Sequence, residues 1–258
     1  MKDNKLKMVI YGASTFLILL LLWQFLAMRS ESQIGFPTPV DVIQRFLYIL
    51  THEVGTYTVI GHTLQSLRRV VVGYMLACVI GVVLGLTMGW FPYIRAIFKP
   101  VFDLLRPIAP LAWIPLAILW FGIDEAYKYF LIFIAAFVPF TLNAYSGAVR
   151  VDRQLIGAAK MLGASGKQVF FKIVVPSAVP SIFSGAQVAL SNAWMTMLAA
   201  EMVRSSEGVG WLIIAGQNVN DMTQMIAGML AIGIVGFLLA KGMRFLERRC
   251  LRWNNQGR

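Results

Sequence analysis

Hydrophobic positions along this chain fall into long unbroken runs rather than short alternating patterns. Runs over 8–28, 67–90, 101–121, 127–148, 177–203 and 223–241 each approach the ~20 residues that a membrane-crossing helix needs. The segments between them are polar and charged. The pattern therefore predicts an all-α membrane protein with six transmembrane helices, built as a single membrane domain over 1–258. Between the first two runs, Thr38-Pro39-Val40-Asp41 reads as a helix start, with Thr38 as N-cap and Pro39 at the first helical position. Val42, Ile43, Phe46, Leu47 and Leu50 then recur at helical spacing, which predicts an amphipathic helix lying on the outer membrane surface. Arg204 to Met222, with Gly208, Gly210 and Gly216 around Trp211, reads as an outer loop able to dip into the membrane as a short helix.

Small residues recur every fourth position in two of the runs: Gly73, Ala77, Gly81, Gly85 and Gly89, and then Ser181, Gly185, Ala189 and Ala193. That spacing lets helix backbones approach closely where lipid removes the hydrophobic incentive to pack. The run 101–121 contains Pro107, Pro110 and Pro115, each of which removes a backbone donor. Membrane helices tolerate such breaks where neighbours or water satisfy the freed carbonyls. The first run follows Lys2, Lys5 and Lys7 and competes with a signal-peptide reading. No convincing small-residue cleavage site follows it, so an uncleaved first span is expected.

Composition agrees with the pattern. The 258 residues are 58% hydrophobic and 14% charged, against roughly 25% charged in soluble domains. The formal charge of +11 would fit a nucleic-acid partner, but its placement excludes one. Sixteen of the 23 Lys and Arg fall in the terminal segments, 91–99 and 149–176, against four in the opposite loops. By the positive-inside rule both termini lie in the cytoplasm, and 91–99 is a cytoplasmic turn. Cys78 and Cys250 are the only cysteines and imply neither a disulfide framework nor a metal site. His52 and His62, ten residues apart without ligand partners, read as interfacial polar residues.

The most informative polar interruption is 149–176. Arg150, Arg153, Lys160, Lys167 and Lys172 stand there against one acid, Asp152. Ala158, Ala159 and Gly163 give a short helix a nearly flat face, and Gly163 can end that helix in a left-handed conformation. Ser165 restarts a helix as N-cap, with Gln168 completing a capping box. Pro176 suits the first turn of the helix that follows. A helix–turn–helix bracket projecting from the membrane is predicted.

This bracket resembles the EAA loop of the membrane subunits of type I ABC importers, which runs Glu-Ala-Ala, three residues, Gly, nine residues, Ile, one residue, Leu-Pro. Ala158, Ala159, Gly163, Ile173 and Pro176 fall on that pattern. Gly157 stands where the family usually has Glu, and Val175 where it has Leu. The stretch Arg106-Pro107-Ile108-Ala109-Pro110-Leu111-Ala112-Trp113-Ile114-Pro115-Leu116, ending in Trp120-Phe121-Gly122, independently resembles the nitrate/sulfonate/taurine branch. The resemblance implies a MetI-like transmembrane domain in the bacterial inner membrane that translocates a small anion or organic acid. It implies that Gly157, Ala158, Ala159, Gly163, Ala164, Ser165, Ile173 and Pro176 form the loop coupled to an ATPase. The partners it implies are two ATP-binding subunits, a second copy of this chain, and a substrate-binding protein outside the membrane. No cofactor is expected on this chain, ATP and Mg2+ belonging to the partner ATPase.

Polar residues at membrane depth mark the candidates for a translocation pathway: Gln187, Asn192, Trp194 and Thr196 in the fifth run, and Trp113 in the third. Such groups are costly unless they pair or line a wet cavity, and helix–helix hydrogen bonding explains them as well as a pathway does. Glu201, near the outer end of its run, is a candidate for a structural or gating role. Asp103 and Arg106 are expected to pair with each other or to snorkel. Gly166-Lys167-Gln168 lacks the upstream glycine spacing of a phosphate-binding loop, so the chain is not expected to hydrolyse ATP, and no catalytic constellation is visible. An ion-gradient-driven secondary transporter or channel remains the rival reading; its mark would be charged or polar groups paired at the membrane midplane.

Overall fold

Three long helices carry the fold in the computed structural model, which describes residues 2–29 and 36–251. They are α3 (Val59–Trp90), α6 (Glu125–Val149) and α9 (Val175–Val203). The glycine stripe of α3 lies on α6. A Cβ added at Gly73 would fall 2.6 Å from Ile132, at Gly81 2.9 Å from Phe140, and at Gly89 2.5 Å from Ala148. Positions ascend together on both helices, so α3 and α6 run parallel at backbone contact. Helix α9 runs antiparallel to α6: Gly185 abuts Asn143, while Gly147 abuts Ala178 and Ser181. Both predicted small-residue faces are thus contact faces.

Two parallel helices need a chain that returns between them. The return is α4 (Pro92–Leu105), a single 3-10 turn at Pro110–Trp113 and α5 (Ile114–Phe121). The two parts are bent by 88° at the break. This corrects two sequence expectations. Residues 92–99 are helical rather than a turn, with Pro92 in the first turn of α4 and Pro100 accommodated within it. The third span is broken, because Pro107 and Pro110 remove successive donors where the helix would have continued.

The remaining elements are α1 (Lys2–Arg29), α2 (Pro39–Thr51), α7 (Arg153–Met161), α8 (Gly166–Val169), α10 (Val209–Asn218) and α11 (Met222–Cys250). By length and apolarity α3, α6, the joined α8–α9 segment and α11 can each cross a membrane, and the bent α4–α5 pair makes a fifth candidate. Helix α3 begins at 59 rather than 67, and α11 continues through Arg244 and Arg248 instead of ending near 241. Arg252 and Arg258 lie outside the described residues, as do the side chains of Lys2, Lys5 and Lys7. The Trp23 indole at the end of α1 donates to the Pro37 carbonyl at 3.2 Å. Helix α2 has the predicted start, a reciprocal capping box between Thr38 and Asp41. Its Val42 and Ile49 are buried, while Val40, Ile43 and Leu47 remain exposed. Arg45 ties it to the head of α11 through Gln224 at 2.7 Å and Asp221 at 3.2 Å. Helix α10 buries Val209, Leu212 and Ile213 against the ends of α3, α9 and α11, so it is the short helix expected within 204–222.

Candidate functional site

Two regions hold the residues singled out by the sequence, one at each end of the bundle, with cavities between them. At the first end the bracket has the predicted local structure. The Asp152 carboxylate accepts from the Gln154 amide at 2.8 Å and starts α7. Gly163, at φ +85°, ends it. The Gly163 amide donates to the Lys160 carbonyl and the Ala164 amide to the Ala159 carbonyl, both at 3.0 Å, which closes the helix in a Schellman motif. Ser165 and Gln168 exchange side-chain bonds with each other's amides at 2.8 and 3.3 Å. A single π-turn, Phe170–Val174, leads into α9 with Pro176 in its first turn.

The bracket rests on an apolar cluster of Leu86, Ala144, Ala148, Val169, Val174 and Ala178, against which Ala159, Ala164 and Ile173 pack half-buried. Ala158, Gly163, Ser165 and Pro176 face solvent. The small residues therefore divide between the two sides of the bracket and do not form one flat outer face. What the bracket presents outward is Met161 and Leu162, 86% and 89% exposed, flanked by Lys160 and Lys167. Sequence reasoning passed over this apolar pair, because a Met-Leu at a helix end looks like ordinary packing. At Gly157 a Cβ would meet nothing within 4 Å, so packing places no demand for glycine there.

The pathway candidates do not converge on a single site. Asn192 and Trp113 line a cavity of about 520 Å³ between α4, the 3-10 turn, α6 and α9, together with Arg106. Gln187 and Trp194 line another of about 450 Å³ between α9 and α11, with Ser191 and Arg244. Gln187 donates to the Glu247 carboxylate at 2.6 Å. Thr196 is buried in α9 and lines neither cavity. Asp103 bonds Lys99, one turn earlier on α4, instead of Arg106.

At the opposite end Glu201 is the hub of a buried charge network. Arg69 on α3 is 1% exposed and spends every one of its five N–H donors. Its Nε and Nη2 grip the Glu125 carboxylate at 2.7 and 2.9 Å, and Nη1 meets Glu201 at 2.7 Å. The Glu207 carboxylate and carbonyl complete the set at 2.6 and 3.3 Å. Glu201 also accepts from Ser66 Oγ at 2.7 Å and from the Gly210 amide at 2.9 Å. Lys128 bonds Glu125 at 2.7 Å. One guanidinium thus joins the ends of α3, α6 and α9 to the loop before α10.

His62 belongs to the same assembly and is fully buried, not interfacial. Its Nδ1 accepts the Gly208 amide at 3.0 Å, so Nε2 carries the proton and donates to the Val54 carbonyl at 2.9 Å. His52 is exposed, as expected. Gly208 has φ +112°, and a side chain there would run into the Glu201 carboxylate. The partners of Arg69, and the His62–Gly208 pair, are separated by 56 to 146 residues, so no local pattern announces them. Charged residues within or at the edge of apolar runs, Arg69 beside Arg68 and Glu201, were the available signal.

Among the described residues no three His, Cys, Asp or Glu side chains are gathered to hold a metal ion. The geometry provides a rigid, exposed bracket at one end, an ion-paired closure at the other, and cavities at intermediate depth.

Comparison with known proteins agrees. Residues 77–251 match the family model described as the binding-protein-dependent transport system inner membrane component. A putative ABC transporter permease protein of Methanocaldococcus jannaschii is 37% identical over 90% of this chain and 87% of its own length. The taurine transport system permease protein TauC of Escherichia coli K12 is 33% identical over 97% of this chain and 92% of its own. In fold, the chain is similar to a structure of the MetNI methionine ABC transporter with a TM-score of 0.64 at 16% identity, covering 81% of this chain and 97% of that one. The chain therefore belongs to the binding-protein-dependent ABC-importer permeases of the nitrate/sulfonate/taurine type, inner-membrane subunits whose ATP hydrolysis lies in a partner subunit.

Proposed function

We propose that this permease carries a small anion or organic acid, of the sulfonate class, into the cytoplasm as a homodimer with two ATPase subunits and an external substrate-binding protein. Six crossings, counting α1 and the broken α4–α5 pair, put both termini on the ATPase side. The bracket built on Ala158, Ala159, Gly163, Ala164, Ser165 and Ile173 docks on the ATPase. The observation that carries this reading is the Met161–Leu162 pair, held out from the bundle on a helix closed at both ends. An apolar pair so exposed on a rigid frame marks a protein contact. ATP and Mg2+ bind in the partner; hydrolysis of the ATP there moves the bracket, and α9 carries that motion to the Glu201 network. Substrate then passes the polar groups of the two cavities, where Asn192, Trp113, Gln187 and Trp194 stand.

A second copy also answers a physical problem at the break. Non-helical backbone at membrane depth is tolerated only where protein covers it or water reaches it. Leu104, Leu111 and Leu119 around the break are exposed, and a symmetry-related partner would cover them. Uptake of labelled taurine into proteoliposomes holding the permease, its ATPase and its binding protein tests the proposal. Uptake that requires ATP and both partners is expected. Uptake on an ion gradient by this chain alone would contradict it.

A further inference from the structure

Arg106 caps the end of α4 at mid-depth in the bundle. Phe102, one turn before it, packs edge-on against Phe137 at 6.1 Å, and Phe137 is the central residue of α6. Trp113, just beyond the break, meets Phe130 at 6.3 Å. The backbone of residue 106 therefore falls between the levels of Phe137 and Phe130, inside the apolar length of α6. An arginine at such depth pairs, snorkels or faces water. The one acid near it in sequence, Asp103, is taken by Lys99. Among the described residues Arg106 makes no ion pair and no side-chain hydrogen bond; it is exposed, and it is one of the residues that line the cavity.

That cavity, about 520 Å³, has an otherwise apolar and aromatic wall, Phe98, Phe133 and Phe137 among its residues. No Asp or Glu lines it, and the Asn192 amide and Trp113 indole are the other groups able to hydrogen-bond. An apolar chamber with a few convergent polar groups is the usual form of a small-ligand site. A guanidinium with no internal counter-charge gives it one sign. We propose that Arg106, with Asn192 and Trp113, forms an anion station on the translocation path, taking the oxyanion head of a sulfonate or carboxylate by the planar fork of its N–H groups. This rests on the importer reading above, because only a substrate path brings an anion to that depth.

The test reads local charge without needing the natural substrate. In the assembled transporter, with Cys78→Ala and Cys250→Ser as background, Asn192→Cys is titrated with the anionic reagent MTSES and the cationic reagent MTSET. One nearby cation should favour the anionic reagent by about tenfold. Arg106→Gln should abolish that preference, and Arg106→Lys should retain most of it. The ratio of the two rates removes any effect of Arg106 on thiol reactivity itself. Trp113→Cys serves as the reporter if the Asn192 variant does not assemble. An unchanged ratio in Arg106→Gln, or a thiol that reacts with neither reagent with or without ATP, overturns the proposal. An intact Arg106-dependent preference without ATP-driven uptake would instead refute the importer reading and leave the anion site standing.

Discussion

Arg69 and Glu201 stand 132 residues apart in sequence and 2.7 Å apart in space, both withdrawn from solvent. Their pairing makes the non-bracket end of α3, α6 and α9 one unit. Breaking a buried pair leaves an uncompensated charge, so Arg69→Met should cost about 3–5 kcal/mol. Thermal unfolding of the detergent-solubilised protein would show this as a much lower midpoint. Arg69→Lys should rescue little, because an ammonium cannot supply five N–H donors in a fork.

Gly208→Ala should act on the same unit from the loop side. Its φ of +112° disfavours any side chain, and a Cβ there collides with the Glu201 carboxylate. We expect faster proteolysis of the 204–221 segment and reduced uptake, with the bracket and ATPase binding unaffected.

The glycine stripe predicts a graded response. Gly81→Ala and Gly89→Ala place a methyl against Phe140 and Ala148 respectively, and overpacking of this kind costs about 1–3 kcal/mol. Gly157→Ala points into open space within α7 and removes a mid-helix glycine, so it should hold or slightly raise the melting temperature, which a side-by-side melt of the three variants would check.

Such contrasts show what a sequence can reveal. The period-four glycines were legible because helix contact at backbone distance has a local signature. The bracket was legible for a similar reason, as Gly163, Ser165 and Gln168 act within one or two turns of themselves, while the Asp152 cap that starts α7 was not anticipated. The Arg69 network was not, since its members come from distant segments and only the fold assembles them. His62 was misread because a histidine at the edge of an apolar run says nothing of the Gly208 amide that will meet it. The helix over 92–99 reads in sequence as a turn because its polar and basic residues separate two apolar runs, although Pro92 suits a helix start and Pro100 is held within the helix.

The capping box at Thr38 gives a pH prediction. Hydrogen bonds from the Thr38 hydroxyl and amide hold the Asp41 carboxyl below its usual 3.8. A carboxyl lowered on folding stabilises the folded form above its ordinary value, and the contribution disappears as pH falls through the lowered one. Hydrogen exchange of the first turn of α2 should therefore stay slow near neutrality and quicken only below about pH 4. Asp41→Asn should exchange faster than wild type near neutrality and respond less to acid.

The most direct test of the central claim is purification of this chain from native membranes, with identification of what stays bound. The account predicts a stoichiometric ATPase with a phosphate-binding loop, lost in Leu162→Asp and Gly163→Leu while both variants still insert and Leu162→Asp unfolds at the wild-type temperature. A chain that purifies without an ATPase, or one whose ATPase is retained by both bracket variants, would contradict it.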